Sequence, residues 1–177
     1  MNDLMSPHKP GTSPEQATVR IERILPGPIE RVWAYLTEAD KRATWFAGGV
    51  FDLREGGNAD LRFDHSLLSA EATPPEFKMK RAEWTETITR CEPPRLLAYT
   101  FHHGGPESEV TFELETRGKG VLLVLTHRRI AERKIKIGLA SGWDAHLVIL
   151  EDRLNGVEPR GFWSTHAELK KQYEELL

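Results

Sequence analysis

One long helix with an apolar stripe, placed after a series of short strand-like runs, constrains this chain more than any other feature. Trp143, Leu147, Leu150 and Leu154 recur at helical spacing, with Gly156 and Pro159 beyond them as stop signals. Ser141, three residues before Asp144, resembles a capping box with Asp in place of Glu, so the helix is predicted over residues 141–156. Upstream, Val19 and Ile21 alternate with Arg20 and Glu22, the period of a half-buried strand. Gly27 and Pro28 then suit an N-cap and first helical turn. Ile29, Val32, Trp33 and Leu36 follow at i, i+3, i+4, i+7 and predict an amphipathic helix. A second short helix is expected over 40–46, turning Trp45 and Phe46 to the core and closed by Gly48-Gly49.

The next stretch reads as strands. Residues 50–54 form a short one, stopped by the hairpin signal Gly56-Gly57-Asn58. Leu61 and Phe63 alternate with Asp60, Arg62 and Asp64; residues 66–80, with Pro74-Pro75, read as a long loop. Residues 84–89 are rich in Thr and aromatics and are broken by Pro93-Pro94. Strands resume over 96–101, 110–115 and 121–126, separated by Gly104-Gly105-Pro106 and Gly118-Lys119-Gly120. Turns this short join antiparallel neighbours. The expected fold is therefore α+β, a curved antiparallel sheet of about six to seven strands around one long C-terminal helix. A curved sheet needs its concave apolar face covered, and only the 141–156 helix is long and apolar enough to cover it. A helix gripped in this way leaves room for a cavity, the usual home of a small ligand. Thr165 and Glu168 then open a last helix carrying Leu169, Tyr173 and Leu176 on one face, which docks on its own domain or on a second copy.

Length and charge narrow the classes. A chain of 177 residues is one domain, large enough to hold a core without disulfide or metal. A net charge of -3 opposes nucleic acid as main partner. Cys91 stands alone and reads as a spectator thiol. No run is apolar for long enough to span a membrane, and residues 1–16, with three prolines and no apolar stretch, read as a disordered leader. The default compartment is the cytoplasm. Residues 17–158 form the expected ligand-binding domain and 159–177 a helical extension.

Several landmarks together resemble the START-like, or SRPBCC, superfamily with its helix-grip, Bet v-like fold. The match is to the branch named for the activator of heat-shock protein 90 ATPase homologue. They are Val19-Arg20-Ile21-Glu22-Arg23 leading to Pro28-Ile29-Glu30-Arg31-Val32-Trp33, Trp45-Phe46, Gly56-Gly57, Pro93-Pro94-Arg95-Leu96, Ala98-Tyr99-Thr100, residues 120–127 and Gly142-Trp143. The resemblance implies a hydrophobic cavity but no particular reaction, because a fold hosts many functions. Two features depart from it: the long loop at 66–80 and the tail from Val157 to Leu177.

There is no His-Glu-x-x-His, Cys-x-x-Cys, phosphate-binding glycine loop or Gly-x-Ser-x-Gly, so no metal or cofactor is expected. His102-His103 read as surface histidines, since neighbours in a strand face opposite ways. Trp84, Glu86 and Ile88 share one strand face; if it is the inner one, desolvation makes Glu86 a candidate acid–base group. His127 continues the face of Val121, Leu123 and Leu125, and His146 lies on the shoulder of the long helix's stripe. The primary reading is a small apolar or amphipathic ligand held by Trp45, Phe63, Trp84, Phe112, Trp143, Leu147 and Leu150, with His127 and His146 as polar tips. The alternatives are a cyclase-like enzyme using Glu86 with His127 or His146, and a regulatory module with a chaperone partner or a second copy. The basic residues from Arg128 to Lys136 read as a solvated loop, with attraction of an anionic head group as the functional alternative.

Overall fold

In the computed structural model, residues 9–78 and 82–177 are described. Strand β1 (Val19–Pro26) is followed by α1 (Ile29–Thr37) and the single turn α2 (Ala39–Arg42). Then come β2 (Asn58–Arg62), β3 (Glu83–Glu92), β4 (Leu96–Thr100), β5 (Glu109–Arg117) and β6 (Gly120–Arg128). The chain ends with α3 (Arg133–Leu154) and α4 (Phe162–Leu176). The sheet has the order β1-β6-β5-β4-β3-β2 and every neighbouring pair is antiparallel. This is the helix-grip α+β fold. The register of β3 against β4 shifts between Ile88 and Arg90, an irregularity of the kind that bends and twists a strand. Val19, Ile21, Leu123, Leu125, Val110 and Phe112 are all buried beneath α3. No described helix is long and apolar enough to cross a membrane.

Four expectations need correction. The second helix stops at Arg42, because the Arg42 side chain turns inward and donates to the carbonyls of Thr37, Ala47 and Gly49, fixing an irregular turn. Residues 50–54 are no strand; only Phe51 bridges to Ala59, after Gly49 takes a φ of 98° that side chains avoid. The long helix starts at Arg133, two turns before Ser141. Ile137 and Ala140 already face the core, and Ser141 Oγ donates back to the Ile137 carbonyl at 2.7 Å instead of capping anything. At the N-terminus, residues 1–8 of the expected leader lie outside the described residues, whereas Thr12 pairs with Arg20 along β1 and Gly11 is buried.

The basic segment is likewise not a free loop. Arg133 donates to the Leu177 and Glu174 carbonyls, and Lys136 Nζ reaches Ser13 Oγ and the Gln16 carbonyl. Asp144, expected near a helix cap, is fully buried in mid-helix, where it accepts from Arg23 and from Tyr173 Oη at 2.6 Å. Tyr173 Oη in turn accepts the Gly11 N–H. One polar network thus joins the N-terminal segment, β1, α3 and α4, and α4 docks on its own chain.

Candidate functional site

The space between sheet and α3 is occupied by aromatic rings. Trp143 is their centre, with ring centroids 4.8 Å from Phe46, 5.4 Å from Phe101 and 5.6 Å from Phe112. Phe46 meets Phe63 edge-on at 5.0 Å, and Phe63 stacks on Trp84 at 4.9 Å. Leu147 and Leu150 are fully buried on α3, and Trp45 is pinned by its indole N–H to the Tyr35 carbonyl at 2.7 Å. The residues expected to line a pocket therefore gather here, but they pack on one another. Among the described residues, clefts lie elsewhere. One of about 500 Å³ sits between Gly27–Glu30 and the β5–β6 turn. Another, of about 190 Å³, lies against Val148, Arg160 and Leu169. Neither includes a ring of the cluster.

At the outer end of the cluster the wall is thinner. Trp84 is only partly buried and is flanked by Phe63 and by His103, whose ring lies 4.2 Å away. Its indole N–H is nevertheless inaccessible to solvent and has no hydrogen-bond partner among the described residues. Such a group costs about 1–3 kcal/mol relative to one that is bonded.

Each titratable candidate has a settled place. Glu86 lies on the inner face of β3 beside Trp84 and Ile88, fully buried. It accepts from the Thr100 hydroxyl at 2.8 Å, from the His102 N–H at 3.0 Å and from His102 Nδ1 at 2.5 Å. The expected pairing of Glu86 with His127 or His146 is not formed. His102, expected on the surface, takes that position: its side chain is 58% exposed, but its ring is anchored on the buried carboxylate. A three-residue helical turn at His102–Gly104 makes this geometry, and strand alternation gave no sign of it.

His127 is fully buried at the end of β6. Its Nδ1 accepts the Trp143 indole N–H at 3.0 Å, so the proton sits on Nε2 and is donated to Ser108 Oγ, also at 3.0 Å. Ser108 Oγ then donates to the Phe101 carbonyl. With its lone pair engaged, His127 cannot draw a proton from Ser108, and burial holds the imidazole down at about 3. His146 donates from Nδ1 to the Trp45 carbonyl at 2.8 Å. Burial, reinforced by His65 and His166 nearby, also lowers it to about 3. Its ring lies 5.1 Å from Phe46 and 4.7 Å from Phe162. Both histidines are thus neutral, pinned parts of the core. Phe46, Phe101 and Ser108 complete their surroundings. Phe46 was legible as core from the sequence, whereas Ser108 carried no signal.

The family model described as Activator of Hsp90 ATPase homolog 1-like protein matches residues 26–155. Among solved structures, the protein encoded by gene BPP1335 of Bordetella parapertussis is 43% identical. It aligns with 100% of this chain and 96% of its own, at a TM-score of 0.81. CalU16 of Micromonospora echinospora is 26% identical over 90% of this chain and 87% of its own, at a TM-score of 0.66. The Aha1 dimer of Colwellia psychrerythraea, 15% identical, covers 78% of this chain and 96% of its own at a TM-score of 0.59, a likeness of fold alone. No curated protein matches the chain.

Proposed function

The chain belongs to the Activator of Hsp90 ATPase homolog 1-like family, and we propose that it binds a small planar apolar ligand, bearing an oxygen acceptor, between the outer part of the sheet and α3. The observation that carries this reading is the Trp84 indole N–H, buried without a partner where the aromatic cluster meets the surface. Buried donors are almost always bonded, so an unbonded one calls for a missing acceptor. The flanking groups fit the same ligand. Phe63 and His103 lie against Trp84 in near-parallel or tilted stacks and hold the indole plane, so that the oxygen of a ligand at the ring edge meets the N–H. Behind them Phe46, Phe101 and Trp143 supply an apolar wall. Because these rings now touch, binding requires the cluster to open at the edge of Trp84, and it costs affinity relative to an open cavity.

A matched pair of probes tests the reading. Tetralin and 2-tetralone have nearly the same shape and differ by one carbonyl oxygen. Tryptophan fluorescence titrations are expected to give about tenfold tighter binding of the ketone, the worth of one recovered hydrogen bond of about 1.4 kcal/mol. In Trp84→Phe, which keeps an apolar ring and loses the N–H, that preference disappears. Failure of both probes to bind, or an unchanged preference in the variant, refutes the proposal.

A protein partner is the second reading. Val50, at 71% exposure, and Leu53, at 41%, stand out from the irregular segment after α2. Sedimentation of the wild type and of Val50→Asp reads whether copies associate through this segment. A monomer at every concentration sinks the homodimer form of the idea.

A further inference from the structure

We propose that Glu86 and His102 form a general-base dyad that abstracts the proton α to the carbonyl of the ligand held at Trp84. This rests on the ligand reading above and adds a reaction to it. The substrate class is a planar aryl or fused-ring ketone with an α C–H.

The geometry is a base beside a donor. The Glu86 carboxylate is fully buried and bonded to the His102 ring at Nδ1, which fixes the tautomer and leaves the Nε2 lone pair pointing away from the carboxylate. Thr100 and the His102 N–H brace the same carboxylate, so it cannot follow the ring if the ring moves. A buried carboxylate orienting a solvent-facing imidazole is the arrangement a general base requires. Trp84 and Glu86 are alternate residues on one face of β3, hence about 6.6 Å apart along the strand. The adjacent residues His102 and His103 of the helical turn meet these same two side chains. His102 sits on Glu86, and His103 lies over Trp84 with centroids 4.2 Å apart. A ketone held at Trp84 thus lies beside the turn that carries the His102 imidazole. The indole N–H stabilises the oxyanion that develops as the proton leaves.

The step balances within the site. His102 Nε2 takes a proton from the α-carbon, the C–H electron pair forms the C=C bond of the enolate, and the carbonyl π pair moves to oxygen. The His102 Nε2–H then returns a proton to carbon. In D₂O the returned atom is deuterium, exchanged from solvent at the exposed ring, so no oxidant or second substrate is needed.

The alternative is a structural role: Glu86 ties the turn at His102–Gly104 to β3. Exchange separates the two. Loss of the α-proton signals of 2-tetralone in D₂O, followed by NMR, is expected to run about a hundredfold faster with wild type than with the same concentration of free imidazole. His102→Ala abolishes the excess, and added imidazole restores part of it, which a turn-stabilising role does not predict. Glu86→Gln, in which Glu86 is tested as a positioning residue, lowers exchange at least tenfold while 2-tetralone affinity is unchanged. Circular dichroism of the variants checks the fold. If 2-tetralone does not bind the wild type, the ligand reading fails first. If it binds but exchanges no faster than with imidazole, or His102→Ala keeps full exchange, the dyad is refuted and binding stands.

Discussion

Lowering the pH from 7 to 5 is expected to remove about 4 kcal/mol of folding stability through two side chains, His127 and His146. Both are buried, at 0% and 6% exposure, and burial holds each imidazole at about 3 in the folded protein against an ordinary 6.5. The folded state therefore binds fewer protons than the unfolded chain throughout the interval between those values. Stability is fully present above 6.5 and is lost as pH falls toward 3. Integrating the linkage relation between pH 7 and 5 gives about 2 kcal/mol for each histidine. The sum is a large part of the 5–15 kcal/mol that holds a typical domain folded. His65 and His166, both lowered by burial, add in the same direction. Urea unfolding at half-unit steps from pH 7.5 to 5 measures the slope. His127→Gln can still donate to Ser108, and His146→Gln can still donate to the Trp45 carbonyl. Each variant is expected to be less stable than wild type at pH 7, with a gap that narrows by about 2 kcal/mol at pH 5. Curves for wild type and variants that run parallel over this range would refute the reasoning, because the two imidazoles would then titrate alike in the folded and unfolded states.

Two further outcomes follow from the packing. Tyr173→Phe keeps the buried ring but deprives Asp144 and the Gly11 N–H of their shared partner. The expected loss is about 1–3 kcal/mol by urea unfolding, with faster amide exchange at Gly11, since its buried N–H loses its acceptor while Asp144 keeps Arg23. Trp143→Ala removes the hub of the aromatic cluster and the donor to His127 Nδ1; a loss of about 4 kcal/mol in thermal or urea melts is expected.

Much of this architecture is local information. The alternation at residues 84–88 put Trp84, Glu86 and Ile88 on one face, and the stripe of Val32 and Leu36 marked α1. Glycine and proline clusters marked the hairpins at Gly104-Gly105 and Gly118-Lys119. Such patterns survive because a strand or helix repeats its geometry every two or 3.6 residues. Segments that depart from that period carry no such mark. The turn of α3 before Ser141 carries Lys136 and Gly138 on a mixed face, and its helix is held by contacts with the N-terminal segment.

The sequence by itself determined the fold class, the antiparallel order of turns and strands, the shared face of Trp84, Glu86 and Ile88 on β3 and the gathering of aromatic residues beneath one helix. The tertiary structure alone decided which polar groups meet. Glu86 chose His102 over His127 and His146, Asp144 reached Arg23 and Tyr173, and the aromatic side chains closed on one another. Periodicity places a side chain on a face, but its partner there is set by the path of other elements. Those partners, 16 and 121 residues apart in Glu86–His102 and Arg23–Asp144, share no local pattern from which the meeting could be read.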